Sequence, residues 1–139
     1  MRAFFAAGFP MNNSIRLRAV LAFCLLGPLS AWALEVVPYQ EDAFAKARAA
    51  GKTTALQFHS GWCPICVMQE RGVRTLQNDK ELADVTVFQA DFAKEDALRK
   101  RFNVTSFSTL VFFKGDVEHA RTTGDFRAEQ LKALFAKAL

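Results

Sequence analysis

Thr53-Thr54-Ala55-Leu56-Gln57-Phe58-His59-Ser60-Gly61-Trp62-Cys63-Pro64-Ile65-Cys66 is the stretch that decides how this chain folds. Its first seven residues read as a buried strand, and Val67-Met68-Gln69-Glu70-Arg71 beyond it is helix-compatible. Cys63 then stands at a helix N-terminus, where unpaired backbone amides and the helix dipole favour a thiolate over a thiol. Pro64 suits the first helical turn, because no amide hydrogen bond is lost there. Cys66 lies one turn along and can close a short disulfide with Cys63. Two sulfurs so placed can exchange electrons between thiols and disulfides, and that exchange requires no bound cofactor.

Working outward, Glu41-Asp42 followed by Ala43 to Ala50 forms a short helix with Gly51 as its stop. The helix opening at Cys63 is expected to reach about Leu76, with a bend at Gly72. Val85-Thr86-Val87-Phe88-Gln89-Ala90 is a β-branched, apolar strand, and Glu95 to Phe102 a second crossover helix. Thr109-Leu110-Val111-Phe112-Phe113 is a strongly hydrophobic strand. Lys114-Gly115-Asp116 turns the chain, and Glu118 to Thr123 returns antiparallel. The last helix sets Leu131, Leu134, Phe135 and Ala138 on one face. The expected order is helix, strand, helix, strand, helix, strand, strand, helix. That order gives an α/β domain whose mixed sheet is flanked by helices on both faces.

Residues 1–33 read as a leader removed on export. Arg2, Arg16 and Arg18 precede an uncharged stretch from Ala19 to Leu34, Gly27-Pro28 breaks its apolar run, and Ala31-Trp32-Ala33 fits a small-x-small cleavage site. The uncharged stretch is short of the roughly 20 apolar residues of a spanning helix, so an uncleaved anchor is the weaker alternative. Met11 serves equally well as a start, and no adjacent arginine pair signals the twin-arginine route. Phe23 before Cys24 suits a lipoprotein site poorly. Removal of 33 of the 139 residues leaves 106, enough for one domain spanning 34–139. Three of the 18 basic residues leave with the leader, so 15 face 14 acidic ones and the net charge is +1. That balance offers no polybasic patch for nucleic acid. Cys24 also leaves, and a single close pair of cysteines in an exported domain is built to react rather than to brace. A periplasmic or otherwise exported monomer is expected.

Trp-Cys-x-x-Cys after the first core strand, within this order of elements, resembles the thioredoxin fold. The chain is similar in particular to the C-terminal domain of the DsbD family of periplasmic electron conductors and to related single-domain exported thioredoxins. The residues that carry the likeness are Gly61 to Cys66 with Glu70, Val87-Phe88-Gln89-Ala90-Asp91, Leu98 to Val104, Thr109 to Phe113, and Arg121-Thr122-Thr123-Gly124-Asp125-Phe126. The resemblance implies that Cys63 attacks a partner disulfide and Cys66 resolves the mixed disulfide. It also implies protein thiols and disulfides as partners, a membrane electron donor of the DsbD type, and a reductant or carrier role. Trp62 would shield Cys63 and offer surface to partners, with Pro64 and Ile65 completing the motif.

Two departures from the family pattern stand out. Val104-Thr105-Ser106-Phe107-Ser108-Thr109 puts Ser108 where the family carries a cis-proline packed against the dithiol. A cis bond outside proline costs about 2.5–4 kcal/mol, which leaves the Phe107–Ser108 bond open between trans and strained cis. Ser108 also brings a hydroxyl and an amide that could bond a thiolate, and a Ser108→Pro exchange is expected to shift the redox potential with the fold kept. Gln57, five residues before Trp62, stands where a buried acid assists proton transfer in the family, and an amide cannot titrate. His59 is the nearest titratable candidate along the strand. Copper(I) handling by Cys63, Cys66 and His59 is a reading from another class, since soft thiolates suit that ion. A thioredoxin-fold binding module without turnover is a third. A structural disulfide or half of a zinc site is the bland reading of the cysteine pair.

Overall fold

A computed structural model describes residues 33–139 of the chain. Apart from Ala33, the expected leader and Cys24 lie outside the described residues. The elements run β1 Glu35–Pro38, α1 Glu41–Ala49, β2 Thr53–His59, α2 Pro64–Thr75, a 3-10 turn Lys80–Leu82, β3 Thr86–Asp91, α3 Asp96–Arg101, β4 Thr109–Lys114, β5 Val117–Thr123 and α4 Ala128–Ala136. Every element expected from the sequence is present, and each one given bounds falls within two residues of them. The sequence reading missed β1 and the 3-10 turn. Glu35-Val36-Val37-Pro38 holds only two apolar residues, too few for a period, and it becomes a strand only because β3 offers it a parallel edge.

The five strands form one mixed sheet in the order β1-β3-β2-β4-β5. β2 pairs parallel with β3, placing Phe58 opposite Ala90, and antiparallel with β4, placing Phe58 opposite Thr109. Strand alternation divides the apolar side chains between two layers. Ala55, Val87, Leu110 and Phe112 pack with Val73 and Leu76 of the α2 end and with Leu131 and Phe135 of α4. Leu56, Phe58, Phe88, Val111 and Phe113 pack on the other face with Phe44 of α1 and Leu98 of α3. Helices therefore cover both faces. Among the described residues no helix is long and apolar enough to cross a membrane.

Arg48 of α1 closes the second layer. Its guanidinium lies 4.8 Å from the ring centre of Phe113 and 5.2 Å from that of Phe44, and it donates to the carbonyls of Gly115 and Asp116. The β4–β5 turn is thereby tied to α1 by a cation that the aromatic faces accept.

α2 runs unbroken through Gly72. The packing there requires glycine: a Cβ would stand 2.1 Å from the carbonyl oxygen of Phe126. Alanine favours a helix over glycine by about 1 kcal/mol. The clash with backbone outweighs that gain, so Gly72→Ala is expected to destabilise the fold by about 1–3 kcal/mol. A urea midpoint at or above that of the parent would contradict this packing account.

Candidate active site

The site lies where β2 ends. The amide of Cys63 donates to the Ser60 carbonyl at 3.1 Å, and this turn aims the chain into α2. Cys63 is the N-cap with Pro64 at the first helical position, and its Sγ accepts the amide of Cys66 at 3.2 Å. The cap position is usually held by a side-chain oxygen; here a sulfur takes the free amide of the first turn. Both cysteines are free thiols, and both are buried. Burial pushes the Cys66 thiol up to about 11, with the adjacent Cys63 sulfur adding to the rise. The backbones of Ser60 and Ser108 pull it partly back.

Ser108 enters β4 from the loop facing the dithiol. All peptide bonds among the described residues are trans, and Ser108 takes the left-handed conformation with φ +59°. Its amide donates to the Phe58 carbonyl at 2.8 Å, and its carbonyl accepts from the Gly124 amide at 2.9 Å. The Ser108 hydroxyl is buried and has no hydrogen-bond partner. Thr109 next to it bonds the Ser106 carbonyl at 2.7 Å and the Thr123 hydroxyl at 2.9 Å, anchoring the loop to the sheet.

A chain of amides, half-buried at Gln89 and fully buried at Gln57 and Gln69, runs from the sheet to the helix that carries the dithiol. Gln89 Nε2 donates to Gln57 Oε1 at 3.4 Å, and Gln57 Nε2 donates to Gln69 Oε1 at 3.1 Å. Gln69 Nε2 then donates to the carbonyls of Ser108 and Asp125, each at 2.9 Å. The sequence reading placed Gln57 at the site and did not place Gln69. Its signal was available: Cys66, Gln69, Gly72 and Val73 recur at three- and four-residue spacing, so Gln69 is a polar residue on the buried face of α2.

His59 Nδ1 lies 3.2 Å from Glu70 Oε1, at ion-pair distance when the imidazole is protonated but without the alignment of a hydrogen bond. Glu70 also faces Arg74 at 3.9 Å. Among the described residues no three His, Cys, Asp or Glu side chains gather as metal ligands. Glu70, four residues after Cys66 on α2, is the acid to which His59 is directed.

On the outside, Trp62 is 74% exposed and stands edge-on to Phe107, with ring centres 5.1 Å apart. Phe107 meets Phe92 in the same way at 5.6 Å. With exposed Pro64 and Ile65, these rings form an apolar rim around Cys63.

The family model described as Thioredoxin matches residues 35–137. The chain belongs to the thioredoxin family. It is 34% identical over 98 residues to the thiol:disulfide interchange protein DsbD of Vibrio cholerae, covering 65% of this chain and 16% of that protein. To DsbD of Escherichia coli it is 36% identical over 97 residues, covering 64% of this chain and 17% of that protein. The chain thus spans about a sixth of the length of these curated relatives. Among solved structures, Trxlp from Edwardsiella tarda superposes with a TM-score of 0.70 at 30% identity, covering 73% of this chain and 98% of that one.

In this thioredoxin-family chain, Ser108 sets the backbone of the loop beside the dithiol. Proline fixes φ near −65° and has no amide hydrogen. The Ser108 site has φ +59° and donates its amide to Phe58, so Ser108→Pro is not the local exchange the sequence suggested. That amide donates to the strand at Phe58, and the Ser108 backbone also favours the Cys66 thiolate.

Two measurements follow from this geometry. Ser108→Gly removes the Cβ that makes the left-handed region costly and is expected to stabilise the domain by about 1–2 kcal/mol in urea unfolding. A loss of stability would show that the hydroxyl matters more than the strain. The second concerns pH. A thiol raised in the folded state binds its proton more tightly there than in the unfolded chain. Its contribution to stability is complete below the ordinary thiol value of about 8.5, and it is lost as pH climbs towards about 11. The reduced parent should therefore lose stability over that window more steeply than Cys66→Ala. Parallel curves would rule out the buried-thiol account.

Proposed function

We propose that this chain is an exported thiol–disulfide oxidoreductase working as a reductant or electron carrier for protein disulfides. The observation that carries the reading is the Cys63 sulfur at the N-cap of α2, accepting the Cys66 amide while a second, buried thiol waits one turn away. The Cys63 thiolate attacks one sulfur of a partner disulfide, the S–S bond breaks, and the other partner sulfur leaves as a thiolate. Deprotonated Cys66 then attacks the Cys63 sulfur, closes the Cys63–Cys66 disulfide and releases the second partner thiolate. Two electrons pass to the partner, and the two protons of the dithiol pass to its thiols or to solvent. Burial favours the thiol form of Cys66, so Cys66 does not compete with Cys63 for the partner disulfide before the mixed disulfide forms.

The apolar rim of Trp62, Ile65 and Phe107 suits a partner that presents its disulfide on an extended, apolar segment. Likeness to DsbD, a thiol:disulfide interchange protein, supports the electron-carrier role and a membrane donor of that type to return the dithiol to its reduced form. The basic, then uncharged, N-terminal stretch supports export.

Equilibration of the mature domain with glutathione redox buffers tests the direction of flow. A couple near about −270 mV is the expected result and fits a reductant. A value near about −120 mV would make the protein an oxidant and overturn the assignment.

A further inference from the structure

A non-glycine residue in the left-handed region persists only where its surroundings over-determine it, and such residues gather at functional sites. Ser108 at φ +59° is held by three hydrogen bonds. Two of them, to the Phe58 carbonyl and from the Gly124 amide, are backbone bonds at the ends of β2, β4 and β5 that any residue could make. The third comes from a side chain, Gln69 Nε2.

Gln69 is wholly buried, and each of its polar atoms is used: Nε2 serves the carbonyls of Ser108 and Asp125, and Oε1 accepts from Gln57. The partners fix the orientation of the amide, because two carbonyls demand the NH2 group and the Gln57 donor demands the oxygen. An apolar residue of similar size would fill the space without the cost of burying an amide. Gln69 also lies three residues after Cys66 on the same buried face of α2. It therefore links the helix that carries the dithiol to the loop that faces it.

We propose that Gln69 is a positioning residue for the dithiol. Its carboxamide clamps the Ser108 carbonyl, holds the left-handed turn beside Cys66, and so sets the balance between the dithiol and disulfide forms. In this chain a helix side chain does the work of a rigid loop residue. The inference rests on the proposed dithiol chemistry and adds to it the residue that tunes the couple.

The test is a double-mutant cycle read as the equilibrium constant of the Cys63–Cys66 couple with glutathione. It compares the parent, Gln69→Met, Ser108→Gly and the double variant, with urea unfolding of each reduced form alongside. Gln69→Met is expected to change the constant by about threefold or more. In the Ser108→Gly background the same exchange should change it by less, because glycine keeps φ +59° without a clamp. The Gln57 donor left without its acceptor is common to both backgrounds and cancels.

A fall in urea midpoint with an unchanged constant would make Gln69 a packing residue only and overturn the inference. An equal change in both backgrounds would also overturn it, because Gln69 would then act by a route other than Ser108. If Gln69→Met does not fold, Gln69→Asn withdraws the donors by one methylene, and its constant is read against the same outcomes. A parent that cannot be cycled between its two forms would refute the dithiol function itself, and this inference would fall with it. A parent that cycles while the variants match it refutes the role of Gln69 alone.

Discussion

Strand β2 carries the constraint on which the rest of the structure depends. Its first six residues are buried, with β3 parallel on one edge and β4 antiparallel on the other. Ala55 and Gln57 face the layer of α2 and α4, while Leu56 and Phe58 face that of α1 and α3. A slip of one residue would exchange those faces, driving Phe58 into the space of Gln57 and the amide into an aromatic layer. Register is therefore tightly specified, and with it the point where the strand ends. The turn through Ser60, the cap at Cys63 and the start of α2 all follow from that end point. So does the Phe58 carbonyl that receives the Ser108 amide.

Around this fixed end, three amides carry the hydrogen bonding from the sheet to α2. Gln89, Gln57 and Gln69 pass hydrogen bonds from β3 through β2 to α2, and Gln69 hands them to the loops at Ser108 and Asp125. Amides hold position but neither store nor release protons. Proton traffic at Cys66 must therefore reach solvent, a partner thiolate or the half-buried His59–Glu70 pair at the edge of the site. The same layer shows why Gly72 is a glycine: the loop that supplies the Asp125 carbonyl to Gln69 presses the next carbonyl, that of Phe126, onto the helix one turn further on.

Legibility in the sequence followed the range of the physics involved. Element type and ends were readable for α1, β2, α2 and β4 because periodicity, a proline at N1 and a glycine stop are local signals. The dithiol and its place at a helix start were readable for the same reason, as was the inability of Gln57 to titrate. β1 was not, since a four-residue strand draws its stability from the neighbour that pairs with it. His59 was read as the nearest titratable candidate along the strand; that its Nδ1 would lie beside Glu70, eleven residues further along the chain, was not legible there.

The amino-acid sequence by itself determined the α/β order, the two-sided burial of the central strand, the Cys63–Cys66 pair at a helix N-terminus and a serine, not a proline, at position 108. Each depends on residue type and near spacing. Only the tertiary structure decided the conformation of that serine: a trans bond, a left-handed backbone, and a hydrogen bond from Gln69 on a helix distant in sequence. Backbone conformation at a loop residue is selected by the hydrogen-bond partners the fold brings to it, and those partners come from β2, α2 and the turn after β5. No local pattern encodes that meeting, because it exists only once the sheet has closed.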